Sequence, residues 1–187
     1  MEFFEFVAGI ALFAIAAVIG GVLGFGGGLI AVPFLVLVNP EFIPIPMLFT
    51  AIIFSGMVAW RERMMISPSA VKWALVGIIP GVALGVFILL AISTEILGVF
   101  ISLLLLVFVG IQVTRFHLKQ TSKTILIGGF LGGIMSNTVG MPGVALALTM
   151  SKFEGPTFRS TINACVVMIS VISSVVLIVA GEVATSH

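Results

Sequence analysis

Two interruptions rich in glycine and proline are the segments of this sequence whose residue types can bind a ligand. The first ends in Gly26, Gly27 and Gly28, and the second covers residues 136–143. Where a helix restarts after such an interruption, its first backbone N–H groups are unpaired and its dipole presents about half a positive charge. This chemistry favours the binding of an anion.

We expect the anion to lie between the two interruptions. One exposed helix terminus supplies only about 0.3–1 kcal/mol, whereas desolvation of an anion costs several kcal/mol, so both interruptions and nearby hydroxyl or amide side chains are needed. The predicted substrate-binding residues are Gly26, Gly27, Gly28, Thr50, Ser55, Asn137, Thr138, Gly140, Pro142, Gly143, Arg159, Thr161 and Asn163.

Several of these residues also have structural interpretations, which the sequence leaves open. The glycines at 26–28 fit a close helix crossing that needs no side chains. Arg159 fits a residue that sets membrane topology at a helix start, and this is the interpretation we favour for it. Asn163 fits a hydrogen bond to another helix as well as a bond to a ligand.

The sequence lacks the residues that other chemistries need. It contains no Asp, its two histidines, His117 and His187, are far apart, and Cys165 is its single cysteine. These residues suit neither a metal site nor a Ser-His or two-carboxylate active site, so we expect no enzyme, no metal and no cofactor. A net charge of +1 supplies no basic face for phosphates, so we expect no nucleic-acid partner.

The elements that must position the site are membrane helices. Of the 187 residues, 60% are hydrophobic and 8% are charged, and the mean hydropathy is +1.37. Six uncharged stretches of 19 to 35 residues separate charged residues, and about 20 apolar residues cross a bilayer. We therefore predict an all-α polytopic membrane protein with the lipid bilayer as a partner.

The basic residues predict how these stretches are oriented. All eight Lys and Arg residues fall within residues 61–72, 115–123 and 152–159. Short basic loops are retained on the cytoplasmic side of a membrane. We therefore predict that these three loops are cytoplasmic and that the N-terminus lies outside.

This orientation separates ordinary helices from broken ones. The stretches that join opposite faces, and are predicted to be transmembrane helices, are 44–60, 73–91, 96–113 and 158–180. Residues 6–38 and 124–150 begin and end on one face and are too short for two crossings and a turn, so we predict broken re-entrant or hairpin segments. Non-helical backbone at membrane depth needs protein or a water-filled cavity around it, which indicates a buried polar site.

The two broken segments also match each other when Gly26 is aligned with Gly140. Each is followed by a short apolar arm, a polar turn with proline, and a helix, and their opposite starting faces predict inverted repeats. The predicted organisation is a first repeat at 1–113, a cytoplasmic linker at 114–123, and a partial second repeat at 124–187. Small residues at spacing four predict close helix packing at Gly77, Gly81, Gly85, Gly129 and Gly133.

These residues resemble the sulfite exporter TauE/SafE (TSUP) family of integral membrane proteins. The resemblance rests on Gly24-Phe-Gly-Gly-Gly28 followed by Val32-Pro33, on Trp60-Arg61, and on the run from Gly155 to Thr161. It implies transport of small sulfur-containing anions, such as sulfite, thiosulfate or organosulfonates, with access exchanged by rocking one repeat against the other.

Two departures from the family pattern bear on these expectations. The second interruption has no triple glycine, so its substrate contacts are expected to differ. The second repeat lacks partners for two helices of the first, so either the sequence is truncated or another subunit of a homo-oligomer supplies the missing wall. The alternative function is a non-transporting membrane packing or assembly subunit.

Overall fold

The part of the chain described by the computed structural model consists of residues 45–91, 120–138 and 140–179, together with Leu103 and Gly110. The predicted broken segment 6–38, with its three glycines, lies outside the described residues. The predicted helix 96–113 also lies outside the described residues, except for Leu103 and Gly110. Within the described residues every element is helical and no strand is formed. The all-α class is therefore confirmed for this part of the chain.

Five α-helices follow one another in the described part of the chain. They are α1 (Ile45–Arg61), α2 (Pro68–Ala91), α3 (Ser122–Thr138), α4 (Gly143–Thr149) and α5 (Gly155–Val179), with a 3-10 turn at Arg63–Met65 between α1 and α2. The helices predicted at 44–60, 73–91 and 158–180 are thus confirmed. α2 and α5 begin a few residues early, because a proline is well suited to the first turn of a helix.

α2 and α3 run parallel with their backbones in close contact. A Cβ atom on Gly81 would overlap the carbonyl oxygen of Phe130, and one on Gly85 would lie 2.9 Å from the Cα atom of Ile134. Gly133 of α3 makes the reciprocal close approach to the backbone of α2. The predicted packing through small residues is therefore confirmed, since only glycine permits such an approach.

α3 and α4 form an antiparallel hairpin. Gly132 faces Leu146, and Gly128, one turn earlier in α3, faces Thr149 at the end of α4. α3 has 17 residues, about 25 Å, whereas α4 has only seven, about 10 Å. The returning arm is therefore too short to cross the roughly 30 Å hydrocarbon core of a bilayer, which is the kind of break predicted within residues 124–150.

α1 packs antiparallel against α5. A Cβ atom on Gly56, in the middle of α1, would lie 4.0 Å from Val167 Cγ2 in α5. Leu48, near the start of α1, clusters with Leu177, near the end of α5. α5 alone has 25 residues, and both it and α2 are long and apolar enough to span a membrane. The core lies where α2, α4 and α5 meet, and it includes Cys165.

This register gathers the described basic residues at one end of the bundle. α1 ends there, whereas α2, α3 and α5 begin there, so their terminal charges lie at a common level. The residues of this basic end are Arg61, Arg63, Lys72, Lys123, Lys152 and Arg159. A shared end is what the predicted cytoplasmic loops require. The side of the membrane that it faces stays a prediction, as do the inverted repeat and the domain boundaries.

Candidate functional site

Six polar side chains are buried at the tip of the hairpin and on the neighbouring part of α5. They are Ser136, Asn137, Thr138, Ser170, Ser173 and Ser174, and we call them the polar cluster. Buried hydroxyl and amide groups are costly in an apolar surrounding unless they are hydrogen-bonded or bound to a ligand. The polar cluster is therefore the candidate functional site of the described part of the chain.

The turn between α3 and α4 holds the end of α3 in place. Gly140 has a φ of 71°, in the left-handed region that favours glycine. The N–H of Met141 then donates to the carbonyl oxygen of Met135 at 3.3 Å, which satisfies one of the last carbonyls of α3. Pro142, with a φ of −65°, directly precedes Gly143, the first residue of α4, where the fixed φ of proline is favourable.

A hydrogen bond between two serines joins the hairpin to α5. Ser136 Oγ donates to the carbonyl oxygen of Gly133 at 2.7 Å and lies 2.7 Å from Ser173 Oγ. Because the single hydroxyl proton of Ser136 is used on the carbonyl, Ser173 is the donor between the two hydroxyls. The hairpin tip is thus fixed to the C-terminal third of α5.

Asn137 joins the hairpin to α2. Its Nδ2 atom lies 3.3 Å from the carbonyl oxygen of Val82 and 3.3 Å from that of Gly133, and it donates to both. The side chain is 0% exposed, and its Oδ1 atom accepts no hydrogen bond from any described residue. The amide group therefore gives its protons to the protein and leaves its buried oxygen without a partner among the described residues.

The predicted binding residues fall into separate groups in the structure. Those at the hairpin tip are Asn137, Thr138, Gly140, Pro142 and Gly143, and those near the basic end of α5 are Arg159, Thr161 and Asn163. On α1, Ser55 is buried and Thr50 is exposed. Gly26, Gly27 and Gly28 lie outside the described residues, so their convergence with the hairpin tip stays a prediction.

The predicted residues of α5 make hydrogen bonds and ion pairs within the protein. Thr161 Oγ1 accepts a hydrogen bond from the backbone N–H of Ser67 at 3.0 Å. Asn163 Nδ2 donates to the carbonyl oxygen of Arg159 at 2.7 Å. Arg159 Nη2 lies 2.9 Å from Glu62 Oε1. The hydrogen bond from Asn163 to Arg159 stays within α5, so it does not test the predicted bond to another helix, and the topology role of Arg159 stays a prediction.

Glu62 is a partly buried carboxylate between two arginines. Its Oε1 atom lies 2.9 Å from Arg61 Nη2 and 2.9 Å from Arg159 Nη2. The exposed fractions of the side chains are 14% for Glu62, 31% for Arg159 and 68% for Arg61. The hydrogen bond from Arg159 is the main reason that the pKa of Glu62 is lowered from 4.5. The pair ties the end of α1 to the start of α5.

We expect Glu62→Gln to lower the free energy of unfolding at neutral pH by about 1–2 kcal/mol, because the pair is intermediate between exposed and buried ion pairs. A lowered pKa in the folded state means that the pair stabilises the protein above the pKa of the unfolded carboxyl. That contribution is lost as the pH falls through the folded pKa, below 4.5. The stabilities of the wild type and of Glu62→Gln should therefore become similar at low pH. Thermal unfolding of both proteins between pH 3 and pH 7 measures the difference.

Arg61→Gln is the matched control for Glu62→Gln. It removes a contact between adjacent, exposed groups, so it should change stability by about 0.5 kcal/mol or less. Arg159→Gln should lower the free energy of unfolding by about the same amount as Glu62→Gln. The double variant Glu62→Gln with Arg159→Gln should lower it no further than either single variant. Equal losses for Arg61→Gln and Arg159→Gln would contradict the assignment of the stabilising contact to Arg159.

Some residues of the site and of the ion pair were not predicted from the sequence. They are Glu62, Ser136, Ser170, Ser173 and Ser174. The serines of α5 recur at spacings of three and four within an apolar helix, which places them on one face. Glu62 is an acid inside a basic loop, which is a signal for an ion pair but names no partner.

Comparison with known proteins gives one match, and it covers nearly the whole chain. The family model described as sulfite exporter TauE/SafE matches residues 9–187. No curated protein and no solved structure matches the chain. The match confirms the resemblance that the glycine-rich interruption and the run from Gly155 to Thr161 had indicated.

Proposed function

Because this chain belongs to the sulfite exporter TauE/SafE family, we propose that it moves sulfite, thiosulfate or an organosulfonate across the cytoplasmic membrane. Membership itself implies a membrane transporter of anions and not an enzyme. The finer proposal concerns the substrate class, the site and the way in which access changes.

The observation that carries the proposal is the helical hairpin of α3 and the seven-residue α4, with buried polar residues at its tip. Transporters built from repeats commonly hold their substrate near the bilayer midplane, where interrupted helices meet. α3 ends after about 25 Å, and Asn137 and Thr138 are buried at that end. A helix that serves only to pack against its neighbours does not need buried polar side chains at its end.

We place the anion between this tip and the backbone of Gly26 to Gly28. Backbone groups near Gly140, Pro142 and Gly143 contribute on one side, and the glycine-rich interruption contributes on the other. The hydroxyl groups of Thr50, Ser55 and Thr161 complete the proposed site. Arg159 lies about three to four helical turns from Ser170, Ser173 and Ser174, so its proposed role is to attract the anion at the basic end.

The proposed change of access is a relative movement of the two broken segments with their attached helices. The basic end faces the cytoplasm in this proposal, because positive charge is retained there. The same positive charge raises the local concentration of a small anion at that opening. Direction of transport follows from the anion gradient and from any coupled ion.

The test is thermal unfolding of the detergent-purified protein in sulfite, thiosulfate, sulfoacetate, sulfate or chloride, at fixed ionic strength and fixed sodium concentration. An anion at 100 times its dissociation constant should stabilise the folded state by about 2.7 kcal/mol. We expect a saturable, selective rise in Tm for one sulfur-containing anion.

Two variants make this test specific. Gly27→Leu should remove the anion response, because a side chain blocks the approach of an anion to the backbone. Gly56→Ala should keep it, because a Cβ atom on Gly56 meets only Val167 Cγ2 at 4.0 Å. A folded protein with no selective response to any sulfur-containing anion would favour the packing or assembly subunit instead.

A further inference from the structure

The polar cluster has used almost all of its well-defined hydrogen-bond donors. The proton of Ser136 goes to the carbonyl oxygen of Gly133, and that of Ser173 goes to Ser136 Oγ. The hydroxyl of Thr138 donates to the carbonyl oxygen of Ile134 at 3.1 Å. An anion is held by donors, so these side chains are poorly suited to hold one.

What the cluster leaves over is one amide oxygen, which can only accept, and two hydroxyl groups, whose oxygens can also bind a ligand. Asn137 Oδ1, Ser170 Oγ and Ser174 Oγ have no hydrogen-bond partner among the described residues, and each atom is buried. The amide of Asn137 cannot be turned round without loss, since its Nδ2 atom already donates to two carbonyl oxygens. Buried oxygens without partners are destabilising unless something satisfies them.

These atoms lie close to one contact in the fold. Asn137 follows Ser136 in α3, and Ser174 follows Ser173 in α5, while Ser170 precedes Ser173 by three residues. Ser136 and Ser173 are 2.7 Å apart. Along its own helix, each of these three residues therefore lies within one turn of the contact where the hairpin tip meets α5.

The helix dipole adds negative potential at this point. α3 begins at the basic end and finishes at Thr138, so its C-terminus, with about half a negative charge, is directed at the polar cluster. The last carbonyl groups of a helix have no partner within the helix. The side-chain oxygens and the C-terminal end of α3 thus both carry partial negative charge.

We propose that the polar cluster binds a monovalent metal cation, such as Na⁺, through Asn137 Oδ1, the serine hydroxyls and the end of α3. Unwound carbonyls and half-helix C-termini serve this purpose in cation-coupled transporters with broken helices. The ligands are neutral oxygens, and the two described glutamates, Glu62 and Glu154, lie at the basic end. A divalent cation would require carboxylates, so a monovalent one fits best.

This inference goes beyond the proposed transport of an anion and does not depend on it. A bound cation would, however, offset the charge of an anion held nearby, which is a direct route to coupled movement of the two. The anion site then draws on backbone donors, whereas Asn137 contacts the cation.

The experiment compares thermal unfolding of the purified full chain in NaCl, KCl and choline chloride at equal chloride concentration, without any sulfur-containing anion. Choline is too large for a site made of closely spaced oxygens. We expect a saturable rise in Tm with Na⁺ or K⁺ over choline. No rise with either metal ion would overturn the proposal, whether or not the protein responds to an anion.

A double variant, Ser170→Ala with Ser174→Ala, separates ligand binding from a structural role. In choline chloride it should be as stable as the wild type or more so, because neither hydroxyl has a partner to lose. In the metal chlorides its apparent cation affinity should fall about tenfold or more. An unchanged cation response in this variant would also overturn the proposal.

Ser160→Ala is the matched control on the same helix. Ser160 is buried like the other two serines, but its hydroxyl donates to the carbonyl oxygen of Thr157 at 3.2 Å. Its removal should lower stability by a similar amount in all three salts and leave the cation response unchanged. If loss of any buried serine weakened the cation response, Ser160→Ala would weaken it as much as the double variant Ser170→Ala with Ser174→Ala.

Discussion

Replacement of Gly81 by alanine should lower the free energy of unfolding by about 3 kcal/mol, which is large for the addition of one methyl group. A Cβ atom at this position would overlap the carbonyl oxygen of Phe130, and two further backbone atoms of Phe130 lie 2.9 Å away. Backbone cannot change rotamer, so α2 and α3 must separate along their whole contact. Thermal or denaturant unfolding in mild detergent, followed by circular dichroism, measures the loss.

Gly56→Ala is the control for this prediction. It makes the same chemical change inside a helix, but its Cβ atom would meet only Val167 Cγ2 at 4.0 Å. Alanine is the better helix former by about 1 kcal/mol, so stability should be unchanged or slightly raised. Similar losses for the two variants would show that the close contact of α2 with α3 does not determine stability.

Replacement of Gly140 by valine should have the second largest effect, a loss of about 2–3 kcal/mol. The φ of 71° at this position is strained for an L-residue and most strained for a β-branched one. Relief of that strain would move the hairpin tip and with it Asn137. We therefore expect the variant to lose both thermal stability and its Tm response to anions and cations.

Gly140→Asn tests whether backbone conformation is the cause. Asparagine adopts the left-handed region more readily than other residues with a side chain. It should retain more stability than valine, by about 1 kcal/mol, although it also adds side-chain atoms at a buried position. If asparagine is as damaging as valine, then the space around the turn, and not the sign of φ, is what requires glycine.

The fold was largely predictable because its main determinants are local. The lengths of the uncharged stretches predicted the helices, and the positions of Lys and Arg predicted which helix ends lie together in the described part of the chain. Residues 124–150 are predicted to begin and end on the same face of the membrane and are too short for two full crossings, so a hairpin was the simplest expectation. Spacing of four between glycines predicted close packing, although it did not identify α2 and α3 as the partners.

The candidate site was predictable only in part, because its chemistry depends on which hydrogen bonds form. Asn137 was predicted as a binding residue from its place beside the interruption. Only the geometry shows that its Nδ2 atom donates to two backbone carbonyl oxygens and that its Oδ1 atom has no hydrogen-bond partner among the described residues. The serines of α5 were missed because serine is common in membrane helices, and the partner of Glu62 is 97 residues away.

The hairpin of α3 and α4 has a consequence for how the protein is assembled in the membrane. Its tip carries buried polar side chains, and in hydrocarbon these groups would have neither water nor protein to satisfy them. Ser173, which satisfies part of the tip, belongs to the helix synthesised after it. We therefore expect the hairpin tip to enter the membrane stably only after α5 has been inserted, so that the order of insertion would differ from the order of synthesis.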